Sequence, residues 1–238
     1  MKLLLISNST MPGEPYLDYP KNEIKQFLGE KPVTAVFIPY AAVTFSYDTY
    51  CGKVEERFAE IGHQIVGIHT FKNPVKAIWD AKAIVVGGGN TWQLVRMLHD
   101  LKLMNPIREK AFGGTPYIGW SAGSNVACPT LRTTNDMPII DPKGFDCTGL
   151  IPFQINPHYL DKNPEGHGGE TREQRIEEFL EINPEIYVAG LREGTMFKLE
   201  NGKLELIGNR SCRIFKKGDE PLELNSENDF SFLLKPLN

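Results

Sequence analysis

Cysteine is scarce in this sequence, and the few cysteines are far apart. The 238 residues include four, with no two in a C-x-x-C arrangement: Cys51, Cys128, Cys147 and Cys212. Closely spaced cysteines are typical of zinc sites, and a dense set of them is typical of small disulfide-stabilised domains. The sequence therefore predicts neither a metal site nor a disulfide framework.

A long apolar segment and an excess of basic residues are also missing. The apolar run in the amino-terminal MKLLLISNST is too short for a signal-peptide core or a membrane-spanning helix. The net charge is -4, whereas proteins that bind nucleic acid usually carry a basic surplus. We therefore expect a cytoplasmic protein with neither a membrane nor a nucleic-acid partner.

Short apolar runs alternate with helical patterns over most of the chain. The runs predict strands at 3–6, 35–38, 65–68, 83–86, 116–120 and 151–155, and apolar residues at helical spacing predict helices at 47–62, 74–81 and 91–99. Alternation of this kind is typical of βαβ units. We therefore expect an α/β fold, with a mostly parallel, doubly wound sheet and helices on both of its faces.

The carboxyl-terminal part changes to an antiparallel pattern. TMFKLENGKLELIG has alternating runs on both sides of Asn201-Gly202, which is a strong hairpin signal. SCRIFKKG and DFSFLLKP predict further short strands. Because no repeat or linker separates the two parts, we expect a single domain over 1–238 with a C-terminal antiparallel extension.

The segment YIGWSAGSNVA places Ser121 where a predicted strand gives way to a helix. Residues 119–123 fit the pattern G-x-S-x-G, in which a serine lies exposed on a sharp strand-to-helix turn. Ser121 is therefore a candidate nucleophile, and the alternative is a tight turn that needs small residues. Ser124, one turn further on, is expected to serve helix packing or a local hydrogen bond.

A serine hydroxyl is a weak nucleophile without a base, and histidine is the usual base. His69 and His158 each follow a predicted strand, where the active sites of parallel sheets gather. Asn156-Pro157 stiffens the chain before His158, so we favour it over His69; the alternative is a loop histidine bonded to the backbone. The other three are expected to be structural, surface or loop residues: His63, His99 and His167.

A triad also needs a group that orients the imidazole. Glu193 lies in the turn after the apolar run of IYVAGLREG and is a candidate for this role. The simpler interpretation is a solvated turn carboxylate. The order Ser, His, Glu along the chain differs from that of α/β-hydrolases, but the same geometry arises from any order.

The glycine run at 87–89, followed by Asn90, also joins a predicted strand to a helix. Its N–H groups could bind a phosphate, or could form an oxyanion hole together with the N–H of Ala122. The run matches neither G-x-G-x-x-G nor a Walker A sequence. Which of the three glycines would donate stays open.

Arg172 lies in the first turn of a helix that the capping box Thr171-Arg172-Glu173-Gln174 predicts. A cation there opposes the helix dipole and needs an anionic partner. That partner is either a nearby glutamate or a substrate carboxylate held in the bidentate geometry that arginine offers.

These motifs are similar to those of peptidase E, the α-aspartyl dipeptidase family of serine peptidases. The resemblance covers nearly the whole chain, through these segments: LLLISNST, VFIPYA, IVVGGGNT, YIGWSAGSNVACPT, RTTNDMPI, INPH, EGHGGETREQRI and GLREG. It implies a flavodoxin-like fold related to class I glutamine amidotransferases and a Ser-His-Glu triad. It also implies cleavage of dipeptides that begin with aspartate, without a metal or another cofactor.

The resemblance also implies roles for individual residues. The nucleophile, base and third triad member would be Ser121, His158 and Glu193. The oxyanion donors would be Gly89 and Ala122, while Arg172 would recognise the aspartyl side chain.

Three more residues are implied to line the same site. Asp136, in TTNDMP, would bind the substrate amine or organise the site, and Asn90 and Gly88 would line the pocket. Arg192, beside Glu193, stands where some relatives have proline.

Other functions stay open at this point. They are a general esterase, a cyanophycinase-like enzyme that acts on longer aspartyl polymers, and a non-catalytic module that binds aspartate. A small peptide is the expected partner, and a homodimer is one alternative for an oligomeric state that the sequence does not define.

Overall fold

The computed structural model describes residues 1–166 and 168–235, so the expectation for His167 lies outside the described residues. Eleven strands are present in this part of the chain. Their bounds are β1 (Leu3–Ile6), β2 (Thr34–Ile38), β3 (Gln64–Gly67), β4 (Ile84–Val86), β5 (Tyr117–Trp120), β6 (Gln154–Tyr159), β7 (Val188–Arg192), β8 (Met196–Glu200), β9 (Lys203–Ile207), β10 (Cys212–Phe215) and β11 (Leu222–Leu224).

Seven strands form the central sheet, in the order β3-β2-β4-β5-β1-β8-β9. The first five in that order pair in parallel, whereas β8 pairs antiparallel with β1 and β9 pairs antiparallel with β8. The prediction of a mostly parallel, flavodoxin-like α/β sheet is confirmed, as is the hairpin around Asn201-Gly202, which forms the antiparallel extension.

Helices cover both faces of this sheet. The α-helices of the described residues are α1 (Lys21–Leu28), α2 (Tyr47–Glu60), α3 (Pro74–Asp80), α4 (Thr91–Asp100), α5 (Met104–Phe112), α6 (Ala122–Asn125) and α7 (Arg172–Ile182). Side chains alternate between the faces of a strand, and in β1 Leu3 and Leu5 pack in one buried cluster while Leu4 and Ile6 pack in another. Apolar residues of α1 and α2 join the second cluster, and those of α3, α4 and α5 join the first.

The helix starts follow from capping chemistry. Ser46, Asn73 and Asn90 cap α2, α3 and α4 by accepting a backbone N–H three residues ahead. The predicted capping box of α7 is present, because Thr171 and Gln174 each accept the other's backbone N–H.

A second, four-stranded sheet has the order β11-β10-β7-β6. Here β6 and β7 are parallel, while β10 is antiparallel to both β7 and β11. The sequence did not indicate that β6 and β7 leave the central sheet, and this separation decides how the site is assembled.

Three strand predictions were wrong in detail. The strand expected at 151–155 begins at Gln154 and runs through His158, because residues 151–153 form a bend. The strand expected at 65–68 ends at Gly67, where a 3-10 turn begins. DFSFLLKP forms the 3-10 turn Ser231–Leu234 rather than a strand, and its apolar residue Leu233 is buried by that turn.

No helix in residues 1–166 and 168–235 is long and apolar enough to cross a membrane.

Candidate functional site

Ser121 lies on a strained turn between β5 and α6. Its backbone has φ 53° and ψ −112°, which is a sparsely populated region for a residue with a side chain. A Cβ on Gly119 would lie 2.4 Å from the oxygen of Gly123, and one on Gly123 would lie 2.2 Å from the oxygen of Val86. Both glycines of G-x-S-x-G are therefore needed for the close approach that this turn requires.

The structure brings Ser121, His158 and Glu193 together. The Nε2 of His158 lies 3.0 Å from the Oγ of Ser121, and its Nδ1 lies 2.7 Å from the Oε1 of Glu193. A base within hydrogen-bond reach of a hydroxyl and oriented by a carboxylate has the geometry of a catalytic triad. The carboxylate can accept only from Nδ1–H, which leaves Nε2 free to accept the proton of the hydroxyl.

His158 does not follow strand β6 as expected but lies within it, at an irregularity. The register with β7 shifts between Pro157 and Tyr159, and His158 has φ 53°. A bulge of this kind re-aims a side chain. The amide of Asn135 donates to the oxygen of Pro157 at 2.7 Å and so supports the backbone just before the histidine.

Two polar residues at the end of β1 complete this arrangement, and the sequence reasoning missed them. The fully buried Ser7 accepts the N–H of His158 at 3.0 Å and donates to the oxygen of Leu191 at 2.7 Å. The Oδ1 of Asn8 accepts the N–H of Gly194 at 2.9 Å, directly after Glu193. Their position could have indicated a role in the site, because both are polar residues at the carboxyl end of a parallel strand, beside the predicted end of β5.

The backbone N–H groups near Ser121 differ in whether they already have a backbone acceptor. The N–H of Gly87 is bonded to the oxygen of Ile38 at 3.1 Å. Within the described residues, the N–H groups of Gly88, Gly89 and Ala122 have no backbone acceptor. The N–H of Gly87 is therefore not free to bind an oxyanion, which leaves Gly88 and Gly89 as the candidate donors of this loop.

Gly88 lies against the candidate nucleophile. A Cβ on it would lie 3.0 Å from the Cβ of Ser121, so any side chain at this position would crowd the turn. The oxygen of Gly88 accepts the hydroxyl of Tyr50 at 2.9 Å, and Tyr50 in turn accepts from Tyr16 and Trp120 at 3.0 and 3.1 Å. Burial raises the pKa of Tyr50 to about 12, so the phenol stays protonated and holds the loop.

Asp136 lines both the cavity beside Ser121 and the neighbouring pocket that contains Arg172. Its Oδ2 accepts the N–H and the hydroxyl of Thr91, at 2.7 and 2.6 Å, and the hydroxyl of Thr134 at 3.1 Å. No donor among the described residues bonds to its Oδ1. One oxygen of Asp136 thus organises the start of α4, and the other is available to a ligand.

Arg172 lines a smaller pocket of about 160 Å³ that it shares with Asp136 and Arg175. Burial and the neighbouring charge of Arg175 lower the pKa of the Arg172 guanidinium from its ordinary value, while Asp136 acts in the opposite direction. Arg175 is 3.5 Å from Glu170, but within the described part of the chain no carboxylate forms an ion pair with Arg172. The glutamate partner considered from the sequence is therefore not present there, and the pocket carries an excess of positive charge.

The remaining candidates take structural positions. The amide of Asn90 caps α4 at Gln93 and donates to the oxygen of Met137 at 3.0 Å, so both ends of this side chain are occupied. Ser124 donates to backbone oxygens within the fold, as expected. His69 pairs with Asp48 at 2.8 Å beside a different cavity.

Arg192, beside Glu193, is bound by two carboxylates. It contacts Asp161 on the loop after β6 and Glu223 on β11, the latter at 2.9 Å, and its side chain is only 11% exposed. Arg192 therefore connects the end of β7 to both neighbouring segments. These contacts indicate a structural role for Arg192 rather than a catalytic one.

The site opens on a cavity of about 470 Å³, which is large enough for a small ligand. Its lining residues are Ser9, Tyr16, Phe45, Tyr50, Lys53, Gly88, Gly89, Trp120, Ser121, Asp136 and His158. The arrangement of a serine, a base and free backbone donors around one cavity defines the class of serine hydrolases.

Comparison with known proteins identifies the family within that class. The model of peptidase family S51 matches residues 3–207. Peptidase E of a Nostoc species is 53% identical over 234 residues, which cover 98% of this chain and 97% of the relative. Peptidase E of Salmonella paratyphi A is 47% identical over 230 residues, covering 97% of this chain and all of the relative (100%). The chain belongs to peptidase family S51 and is a serine peptidase.

Solved structures give the same fold at much lower identity. A putative peptidase E protein from Listeria monocytogenes superposes with a TM-score of 0.65 at 20% identity, covering 87% of this chain and 98% of that one. A peptidase from an acI-B1 Actinobacterium also gives a TM-score of 0.65, at 17% identity, covering 97% and 96%. These two structures support the fold alone.

Proposed function

We propose that this peptidase hydrolyses dipeptides with an amino-terminal aspartate through an acyl-enzyme on Ser121. The observation that carries the proposal is the chain of contacts from the Oγ of Ser121 to the Nε2 of His158 at 3.0 Å, and from its Nδ1 to Glu193 at 2.7 Å. The relatives named peptidase E, at up to 53% identity, support the same activity.

The chemistry follows from these contacts. As the Oγ of Ser121 bonds to the scissile carbonyl carbon, the Nε2 of His158 takes its proton. The carboxylate of Glu193 accepts from Nδ1–H and stabilises the imidazolium that forms. His158 then transfers the proton to the leaving nitrogen, the C–N bond breaks, and an ester of Ser121 remains.

Water completes the cycle by the same proton route. His158 takes a proton from the water as the water oxygen attacks the ester carbon, and then returns that proton to the Oγ of Ser121 as the acid leaves. In both steps the oxyanion accepts the N–H of Ala122 and of Gly89 or Gly88, which have no backbone acceptor in the described residues.

The charges around the cavity match an aspartyl substrate. Arg172 lies in the pocket that adjoins Asp136 and has no carboxylate partner in the described residues, so the substrate side chain can occupy that position. The free Oδ1 of Asp136 suits the substrate ammonium group. Aspartate at the amino terminus offers both of these charges next to the scissile carbonyl.

The wider properties remain part of the proposal. We infer a single domain over 1–238 that acts in the cytoplasm on small peptides, with no metal or other cofactor in the reaction. A homodimer stays a prediction.

The test of the nucleophile is hydrolysis of Asp-Leu, followed by chromatography of the released amino acids. Ser121→Ala should lower kcat by about a million-fold, as nucleophile removal does in comparable triads. Ser124→Ala is the matched control, because in the described residues the hydroxyl of this neighbouring serine bonds to backbone oxygens alone. Substantial turnover by Ser121→Ala would exclude the acyl-enzyme.

The test of the substrate class compares Asp-Leu with Glu-Leu, Asn-Leu and Ala-Leu. Arg172→Ala should lose much more activity on Asp-Leu than on any residual neutral substrate, while Arg172→Lys should keep part of the preference. An equal loss on all substrates would make Arg172 a structural residue. Hydrolysis of simple acyl esters without a free amine would favour the general esterase. Cleavage of aspartyl polymers would favour the cyanophycinase-like alternative, and binding of aspartate without turnover would favour the non-catalytic module.

A further inference from the structure

We propose that Lys53 binds the free carboxylate of the substrate's second residue and thereby favours dipeptides over longer peptides. The inference rests on the proposed function and adds a specificity residue at the leaving-group side of the same cavity. The cavity contains both reactive groups, Ser121 and His158, and among the described residues that line it Lys53 is the only lysine or arginine.

The position of Lys53 is set by a helix that is fixed against the glycine loop. Lys53 lies on α2 one turn after Tyr50, and residues three apart share a helix face. Tyr50 is 4% exposed and donates to the oxygen of Gly88 at 2.9 Å. The lysine is therefore carried by a rigid element that is bonded to the loop beside Ser121.

The ammonium group of Lys53 is available to a ligand. Its Nζ lies 5.5 Å from the centroid of the Phe45 ring, which is a favourable cation–π position at the mouth of the cavity. Within residues 1–166 and 168–235, no carboxylate forms an ion pair with it. Since the side chain has no charged partner in this described part of the chain, a structural ion pair does not explain its place in the cavity.

The rest of the cavity suits the residue that leaves. In a dipeptide, the terminal carboxyl carbon is two bonds from the nitrogen that accepts the proton from His158. The aromatic rings of Tyr16, Phe45 and Tyr50 can contact an apolar side chain next to that nitrogen. In a longer peptide the carboxylate is replaced by an uncharged amide, and the attraction to Lys53 is lost.

The resulting charge pattern has three parts. Arg172 faces the aspartyl side chain, Asp136 faces the amino group, and Lys53 faces the terminal carboxylate. An Asp-Xaa dipeptide carries these three charges in that relation, whereas a dipeptide amide lacks the third.

The experiment compares Asp-Leu with Asp-Leu-amide in the wild type, Lys53→Gln and Lys53→Arg. Lys53→Gln should lower kcat/KM for Asp-Leu about fivefold, mainly through KM, since partly exposed charge pairs are of modest strength. Its activity on Asp-Leu-amide should be unchanged, and Lys53→Arg should retain most of the preference for the free carboxylate. The wild-type preference should also decrease at high salt.

Lys72→Gln is the matched control, because Lys72 is also exposed but does not line this cavity. If the wild type cleaves Asp-Leu but Lys53→Gln shows no loss, or an equal loss on both substrates, the inference about Lys53 is overturned and the proposed function stands. If the wild type cleaves neither substrate, both are overturned.

Discussion

Removing the hydroxyl of Ser7 should disable His158 without touching a reactive atom. Ser7 is 0% exposed, and its hydroxyl joins the N–H of His158 to the oxygen of Leu191 at 3.0 and 2.7 Å. Ser7→Ala deletes both bonds. The bulge that aims the imidazole then loses its contact with the end of β1.

The expected stability change follows from the two lost bonds. A buried backbone group left without a partner costs about 1–3 kcal/mol. Because Ser7→Ala leaves two such groups, the N–H of His158 and the oxygen of Leu191, without this partner, we expect about 2–3 kcal/mol in total. For a chain of this size, that corresponds to a decrease in Tm of roughly 5–10 °C.

The effect on catalysis should exceed what the stability change alone produces. A displacement of about 1 Å between reacting groups can lower the rate about a hundredfold. We therefore expect kcat for Asp-Leu to fall about ten- to a hundredfold in fully folded Ser7→Ala, with KM little changed. Urea unfolding and steady-state kinetics below the unfolding transition measure the two quantities separately.

Thr148→Val provides the comparison. Thr148 is 1% exposed, and its hydroxyl donates to the backbone oxygen of Val126, away from His158. This variant should lose stability but keep kcat. A normal kcat in Ser7→Ala, or an equal loss in both variants, would refute the reasoning that Ser7 positions the histidine.

Two other perturbations have defined outcomes. Glu193→Gln keeps a side chain of the same shape but removes the charge that stabilises the imidazolium of His158, so kcat should fall by about a thousand- to ten-thousandfold with little change in folding; a loss below tenfold in steady-state assays would contradict the role. Hydrogen bonds from Arg192 lower the pKa of Asp161 and of Glu223, so these carboxylates stabilise the fold above their unfolded pKa values of about 4 and lose this contribution as the pH falls through the lowered values. Urea unfolding at a series of pH values should therefore show a lower stability for Arg192→Gln near pH 7 and a shallower decline in acid, whereas parallel curves would exclude this linkage.

The sequence was sufficient for the parallel part of the central sheet because its strands are short, largely apolar runs. A run such as Leu3–Ile6 is buried on both faces, and continuous apolar sequence is typical of parallel strands that lie between two layers of helices. The capping box at Thr171 likewise depends only on neighbouring residues. These features are local, so they can be recognised without knowing the tertiary structure.

The second sheet could not be predicted in the same way. The apolar runs at 151–155 and before Glu193 were recognised, but nothing in their composition shows which strands they pair with. The bulge at His158 is also non-local, because it depends on the register with β7 and on Ser7, 151 residues earlier. Spacing along the chain therefore indicated the types of the site residues but not how they are held.

Because Ser121 and His158 belong to different sheets, the distance between them depends on the contacts that join the two sheets. Ser121 follows a strand of the central sheet, and His158 lies in the other sheet. The segment after Ser121 binds both backbone polar groups of Ile155: Asn125 donates to its oxygen at 2.8 Å, and the Sγ of Cys128 accepts its N–H at 3.2 Å.

Cys128 thus belongs to the contacts that join the two sheets. Burial raises the pKa of its thiol to about 12, so the sulfur stays protonated and acts as an acceptor rather than as a reactive thiolate. Ser7, at the end of β1, also binds β6, by accepting the N–H of His158 at 3.0 Å. Since contacts from the nucleophile's own segment and from β1 converge on β6, the sheets cannot slide past each other without breaking buried hydrogen bonds. The strain at Ser121 and at His158, both with φ 53°, is maintained by that shared constraint rather than by either turn alone.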